Sequence, residues 1–218
     1  MESANEPLPA AHKTDEGDIY AGNVSIHHGG ARDITARSVD ITQGGASKIK
    51  SDHVTIRQGG AQAVYADDIV VRQGGIVRAQ SETLTVNQGG IVLATTKTAD
   101  LHAASALALL TNGDATLTQS GAQLLVARGD VTLDQGNAKV LLAGGDVMMD
   151  QSGTGVLVAR TVQAKNSGVV LLIAQNVAGD IKATFGPRES VLFGIVTGIV
   201  TGIVVLLGNV FGKRLLRR

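Results

Sequence analysis

Asp52-His53-Val54-Thr55-Ile56-Arg57-Gln58-Gly59-Gly60-Ala61-Gln62-Ala63-Val64-Tyr65-Ala66 is one period of this chain. Apolar and polar residues alternate up to the glycines and again, less strictly, after them. A period of two is the mark of a strand, whose successive side chains point to opposite faces. The Gly pair interrupts the run because glycine reaches backbone conformations that a sharp corner needs. A second break falls at the Asp, or Gly-Asp, that opens each period. One period therefore reads as two strands of about five to six residues joined at two corners.

The period recurs in both directions. Gln43-Gly44-Gly45, Gln58-Gly59-Gly60, Gln73-Gly74-Gly75 and Gln88-Gly89-Gly90 follow one another every fifteen residues, with His28-Gly29-Gly30 ahead of them in register. The marker then softens at sixteen-residue spacing to Gln119-Ser120-Gly121, Gln135-Gly136-Asn137 and Gln151-Ser152-Gly153, with Asn166-Ser167-Gly168 fifteen further on. A degenerate period around His102-Ala103-Ala104 fills the gap. Self-similarity at a fixed short spacing defines a solenoid, in which each repeat buries its apolar side only by stacking on its neighbours.

Aligning the periods gives one column of Val24, Val39, Val54, Ile69, Leu84, Ala99, Ala115, Val131 and Val147. A second reads Ile26, Ile41, Ile56, Val71, Val86, Leu101, Leu117, Leu133 and Met149. These are the expected inward ladders. Composition agrees: 44% of residues are apolar but only 2% aromatic, so the core must be built from small aliphatic side chains that repeat well. The expected fold is all-β, a single-stranded β-solenoid or parallel β-helix of about ten coils of 15–16 residues. A C-terminal transmembrane α-helix completes it. The segments read as an N-terminal arm (1–21, flexible or capping the first coil), solenoid (22–182), linker (183–190), membrane helix (191–211) and basic tail (212–218). At the corners the Gln column is expected to form an amide ladder along the axis, satisfying polar groups there.

Short, nearly loop-free coils of Val, Ile and Gly across residues 22–175 resemble the bactofilins, bacterial cytoskeletal proteins whose β-helical core polymerises at the membrane. The resemblance implies a scaffold without catalysis that is able to self-assemble.

The second strand changes character along the chain. Its early outward positions are polar, as with Asp33, Lys48, Lys50 and Arg78, whereas Leu124-Leu125-Val126, Val140-Leu141-Leu142 and Val156-Leu157-Val158 are continuously apolar. Strict alternation puts Leu124, Val140 and Val156 inward with Val126, Leu142 and Val158. Leu109, Leu125, Leu141 and Leu157 then form an outward column, an apolar patch of the kind that marks a contact between copies.

Residues 191–211 carry no charge and, as a helix, would span about 31 Å, the thickness of a bilayer's hydrocarbon core. Gly194, Gly198 and Gly202 fall on one face of that helix, where small residues let a second helix approach. Lys213, Arg214, Arg217 and Arg218 follow as a membrane-surface cluster. The charge bias favours a cytoplasmic tail and an extracytoplasmic solenoid. The polar N-terminus shows no secretory signal, however, which favours a tail-anchored protein with the solenoid in the cytoplasm.

Catalytic patterns are not apparent. The five His do not share ligand spacing, Cys is missing, and the glycines recur at corners rather than between a strand and a helix. No catalytic residue, cofactor or metal is expected, and 19 basic residues against 19 acidic give no global pull on nucleic acid. The expectation is a non-enzymatic, membrane-anchored scaffold that forms homo-oligomers. The alternative is a tethered binding module whose polar N-terminal coils, with Arg57, Arg72 and Arg78, dock a protein or an anionic surface.

Overall fold

A computed structural model describes residues 12–13 and 18–185, with side chains from 18 to 180, and shows a parallel β-solenoid of about ten turns. Residues 191–211 and the basic tail lie outside the described residues. Successive coils pair in parallel and in register. Val54 sits between Val39 and Ile69, and Ile56 between Ile41 and Val71. The same register carries on through Val131, Val147 and Val162. Both expected ladders are therefore core, and every member from Val39 onward in the first and Ile41 in the second is buried.

At the N-terminal end, His12–Lys13 runs antiparallel to the strand Ile19–Ile26, pairing His12 with Tyr20 and Lys13 with Ile19. This pairing covers part of an otherwise open strand edge. At the other end a single strand assignment, Gly153–Phe185, winds through the last coils.

The coil has one corner more than its sequence announces. Gly59, Gly60 and Ala61 pair with the next coil, as do Ala63, Val64 and Tyr65, but Gln62 between them does not. Ala61 and Val64 are both buried, so two consecutive residues, Gln62 and Ala63, face outward. Alternation fails there because the chain bends. Three corners then divide each coil into three short faces: one at the Gln, one at Gln62 and its equivalents, and one at the Asp. The middle corner carries Ser47, Gln62, Val77, Val92 and Leu107, without the Gly, Pro or Asp that would signal a turn.

That bend inverts the parity expected for the last strand of each coil. Leu109, Leu125, Leu141 and Leu157 do not face outward; each is 0% exposed, in a third inward ladder that begins with Ile34, Ile49 and Val64. A fourth ladder contains Ala46, Ala61, Ile76, Ile91, Ala106 and Ala122. The two compensate each other coil by coil. Ala46 accompanies Ile49 and Ala61 accompanies Val64; then Ile76 accompanies Ala79 and Ile91 accompanies Ala94; then Ala106 accompanies Leu109 and Ala122 accompanies Leu125. One large and one small side chain per coil keep the cross-section filled at nearly constant volume, as close packing requires.

The Gln corner exists in two forms. In the early coils the left-handed residue is the first glycine: Gly44, Gly59 and Gly74 have φ of 146°, 148° and 155°. A Cβ on Gly59 would lie 1.8 Å from the carbonyl oxygen of Gly44, so glycine is obligatory there. From Gln88 onward the left-handed residue moves back by one, to Gln88, Ala103, Gln119, Gln135, Gln151 and Asn166, with φ between 47° and 59°. The next position then accepts a side chain in some coils, as at Ser120 and Ser152, although a Cβ on Gly89 or Gly136 would lie 2.3 or 2.6 Å from a carbonyl oxygen of the coil before. Both serines are buried. The Ser120 hydroxyl lies 2.8 Å from the Thr118 carbonyl and 3.0 Å from that of Leu101, and it accepts from the Ala104 N–H at 3.0 Å. Ser152 occupies the same arrangement two coils on, against Leu133, Asp150 and Gly136.

Candidate functional site

Since the coils repeat, any site on this rod is a column or a face, made of one residue per coil at about 4.8 Å intervals. Three such surfaces stand out.

The first is the apolar face. Moving Leu125 and Leu141 into the core brings their neighbours out. Leu124, Val140 and Val156 form one outward column and Val126, Leu142 and Val158 a second. Leu142 is 37% exposed and the other five are half-buried. Followed toward the N-terminus the same columns become mixed, running through Ala108, Leu93, Arg78, Ala63 and Lys48 in one and Leu110, Thr95, Gln80, Tyr65 and Lys50 in the other. The expected apolar surface therefore exists with the opposite set of residues. The clue lay in Lys48-Ile49-Lys50: one isoleucine between two lysines can only point inward, and carrying it forward by the repeat lands on Leu109 and Leu125.

The second is a groove of about 930 Å³ along the middle face. Its floor is backbone at Gly45, Gly60, Gly75 and Gly90, and one rim carries the exposed Val77, Val92 and Leu107. At Gly45 and Gly60 the floor cannot be raised, since a Cβ would lie 2.9 or 2.8 Å from the next coil's carbonyl oxygen, whereas one on Gly90 would meet Ser105 only at 3.6 Å.

The third is polar. The amide ladder forms, with Gln43 Nε2 donating to Gln58 Oε1 at 3.0 Å, Gln58 to Gln73 at 3.2 Å and Gln73 to Gln88 at 3.0 Å. After the corner changes form, Gln119 still donates to Gln135 at 3.3 Å. Beside the ladder lies a depression of about 780 Å³ lined by Arg57, Arg72, Asn87 and His102. Arg57 contacts Asp40 at 3.3 Å, whereas Arg72 makes no ion pair among the described residues. Arg78 belongs to a different face, between Ala63 and Leu93, so the three arginines of the alternative reading are not brought together.

The recurring aspartates cap the coil corner: Asp114 Oδ1 accepts the Asp130 N–H, and Asp130 Oδ1 the Asp146 N–H, each at 2.8 Å. His53 contacts Asp68 at 2.9 Å and His102 contacts Asp100 at 3.1 Å, both at the surface. Among the described residues no three His, Asp or Glu side chains converge as metal ligands. Gly194, Gly198, Gly202, Lys213, Arg214, Arg217 and Arg218 lie outside the described residues.

Compared with known protein families, with curated proteins and with solved structures, the chain gives no match. The parallel solenoid of about ten turns is consistent with a bactofilin-like architecture.

Proposed function

We propose that this protein is a non-catalytic, membrane-anchored scaffold whose solenoids associate through the apolar face of their C-terminal coils. The supporting observation is the two outward columns around Leu124, Val126, Val140 and Leu142. They are wholly apolar, whereas the equivalent positions of earlier coils include Lys48, Lys50, Arg78, Gln80 and Thr95 alongside Ala63, Tyr65 and Leu93. Water-facing sheets normally keep polar residues outward, and a contiguous apolar surface of this kind is used for contact. The uncharged segment 191–211 supplies the anchor in this reading, with Gly194, Gly198 and Gly202 at a helix contact and the basic tail at the membrane surface. Tethering raises local concentration, so a modest solenoid contact suffices for assembly. The solenoid is assigned to the cytoplasmic side.

Sedimentation and crosslinking of the full chain in mild detergent test the proposal. At high ionic strength, Val126→Glu with Leu142→Glu is expected to reduce the oligomer to the species held by the helix alone, and Gly198→Ile to remove that as well. An unchanged oligomer in the doubly charged variant, with circular dichroism intact, would refute the solenoid contact.

A further inference from the structure

The face that turns Val54 and Ile56 inward carries an outward column immediately before the Gln corner. Its charged stretch begins with Arg57 and Arg72 and continues through Asn87, His102 and Thr118 to Asp134 and Asp150, with Lys165 one coil beyond. Charge along this column is antisymmetric about His102 over three coils to either side; at the fourth, Lys165 has the neutral Thr42 as its counterpart. Arg72 lies two coils before it and Asp134 two coils after; Arg57 lies three before and Asp150 three after. Arg72, Asp134 and Asp150 make no side-chain ion pair among the described residues, and Arg57 has only the 3.3 Å contact with Asp40.

We propose that two copies of the chain pack this face against itself, antiparallel, about a twofold axis through the coil of His102. An axis lying in the contact plane along the strand direction reverses the order of coils but leaves each column opposite its own counterpart. Arg57 then faces Asp150 of the second copy and Arg72 faces Asp134, each twice by symmetry. Because every coil adds the same rise of about 4.8 Å, both pairs come into register together. A parallel arrangement instead holds the arginines of both copies at the same height. The neighbouring column conforms to the antiparallel pairing: Thr55 comes opposite Met148, covering a methionine that is 54% exposed. At the axis Asp100 meets its own counterpart, each carboxylate already in contact with its own His102 at 3.1 Å.

The contact is small. Nine coils by about 10 Å of sheet width cover roughly 400 Å² per copy, about half of what each partner buries in a stable complex. It is therefore a weak lateral contact, one that operates between molecules already concentrated. It uses a different face from the apolar one and does not depend on it.

The test uses the full chain in detergent with Val126→Glu and Leu142→Glu in place, at low ionic strength, with self-association followed by sedimentation. Arg57→Asp with Arg72→Asp sets aspartate against aspartate at both ends of the pair, and Asp134→Arg with Asp150→Arg sets arginine against arginine. Each variant alone is expected to associate at least tenfold more weakly than the parent. Mixed one to one they should recover the parent's affinity as a heterodimer, because every facing pair is then opposite in sign. High salt should weaken the parent and the mixture alike. Unchanged association of either variant alone, or a mixture no tighter than its components, would overturn the proposal. If adding the two glutamates leaves the wild-type oligomer intact, the apolar-face reading fails while this one is still tested.

Discussion

Leu124→Ala and Leu125→Ala differ by one position along the chain and should differ greatly in cost. Leu125 is 0% exposed, stacked between Leu109 and Leu141 in the third ladder, with Ala122 as the small residue of the same coil. Truncation removes buried methyl groups and leaves a cavity whose neighbours above and below are fixed by their own coils, so little collapse is available. Leu-to-Ala changes at such sites cost about 3–5 kcal/mol. Leu124 is half-buried on the outer surface. Its truncation leaves no enclosed cavity and should cost about 1 kcal/mol or less. Global melting is a poor readout, because repeat arrays need not unfold in one step. Native-state hydrogen exchange resolves individual coils. Leu125→Ala should speed exchange of amides at 124–127 and 140–143 by about 100-fold or more, at about 1.4 kcal/mol per factor of ten. Leu124→Ala should change it less than tenfold. Equal effects, or a larger effect at Leu124, would refute the bend at the middle corner and restore the simple alternation.

Two further substitutions probe the corners and the packing. Gly59→Ala places a methyl 1.8 Å from the Gly44 carbonyl oxygen at a φ of 148°, and it should cost more than about 4 kcal/mol in a denaturant titration, whereas Gly153→Ala, with nothing within 4 Å, should stay within about 0.5 kcal/mol of wild type. Ile76→Ala and Ala79→Ile should each destabilise, by about 2–5 and 1–3 kcal/mol, but the double exchange should recover most of the loss, since it recreates the small-large order of Ala61 and Val64.

The stacking direction, the repeat length and two of the four core ladders were legible because a parallel in-register stack projects sequence spacing directly onto space: Val39, Val54 and Ile69 are neighbours since they are fifteen apart. The Gln ladder was legible for the same reason. The other two ladders were obscured at the middle corner, where Gln62 and its equivalents bend the chain without any turn residue. In the C-terminal coils a run such as Leu124-Leu125-Val126 is apolar on both faces, so period two cannot be seen in it at all. Only the early coils, where lysines flank Ile49, retain the contrast that sets the parity. The charge symmetry about His102 escaped the sequence reading because Arg57 and Asp150 are 93 positions apart and become related only through the register of the intervening coils.

The change of corner at Gln88 divides the rod by which position takes the left-handed conformation. While the left-handed residue is Gly44, Gly59 or Gly74, each glycine lies against the carbonyl of the one before, so no coil in that stretch can vary without its neighbour. Once the left-handed role passes to Gln, Ala or Asn, the following position holds Ala104, Ser120, Ser152 or Ser167 but keeps glycine at Gly89 and Gly136. The N-terminal coils are in that sense copies under mutual constraint. The C-terminal coils are more varied at this corner, although Gly136, Gly144 and Gly155 still lie against carbonyls of the coil before, and the apolar columns around Leu142 occur in that half.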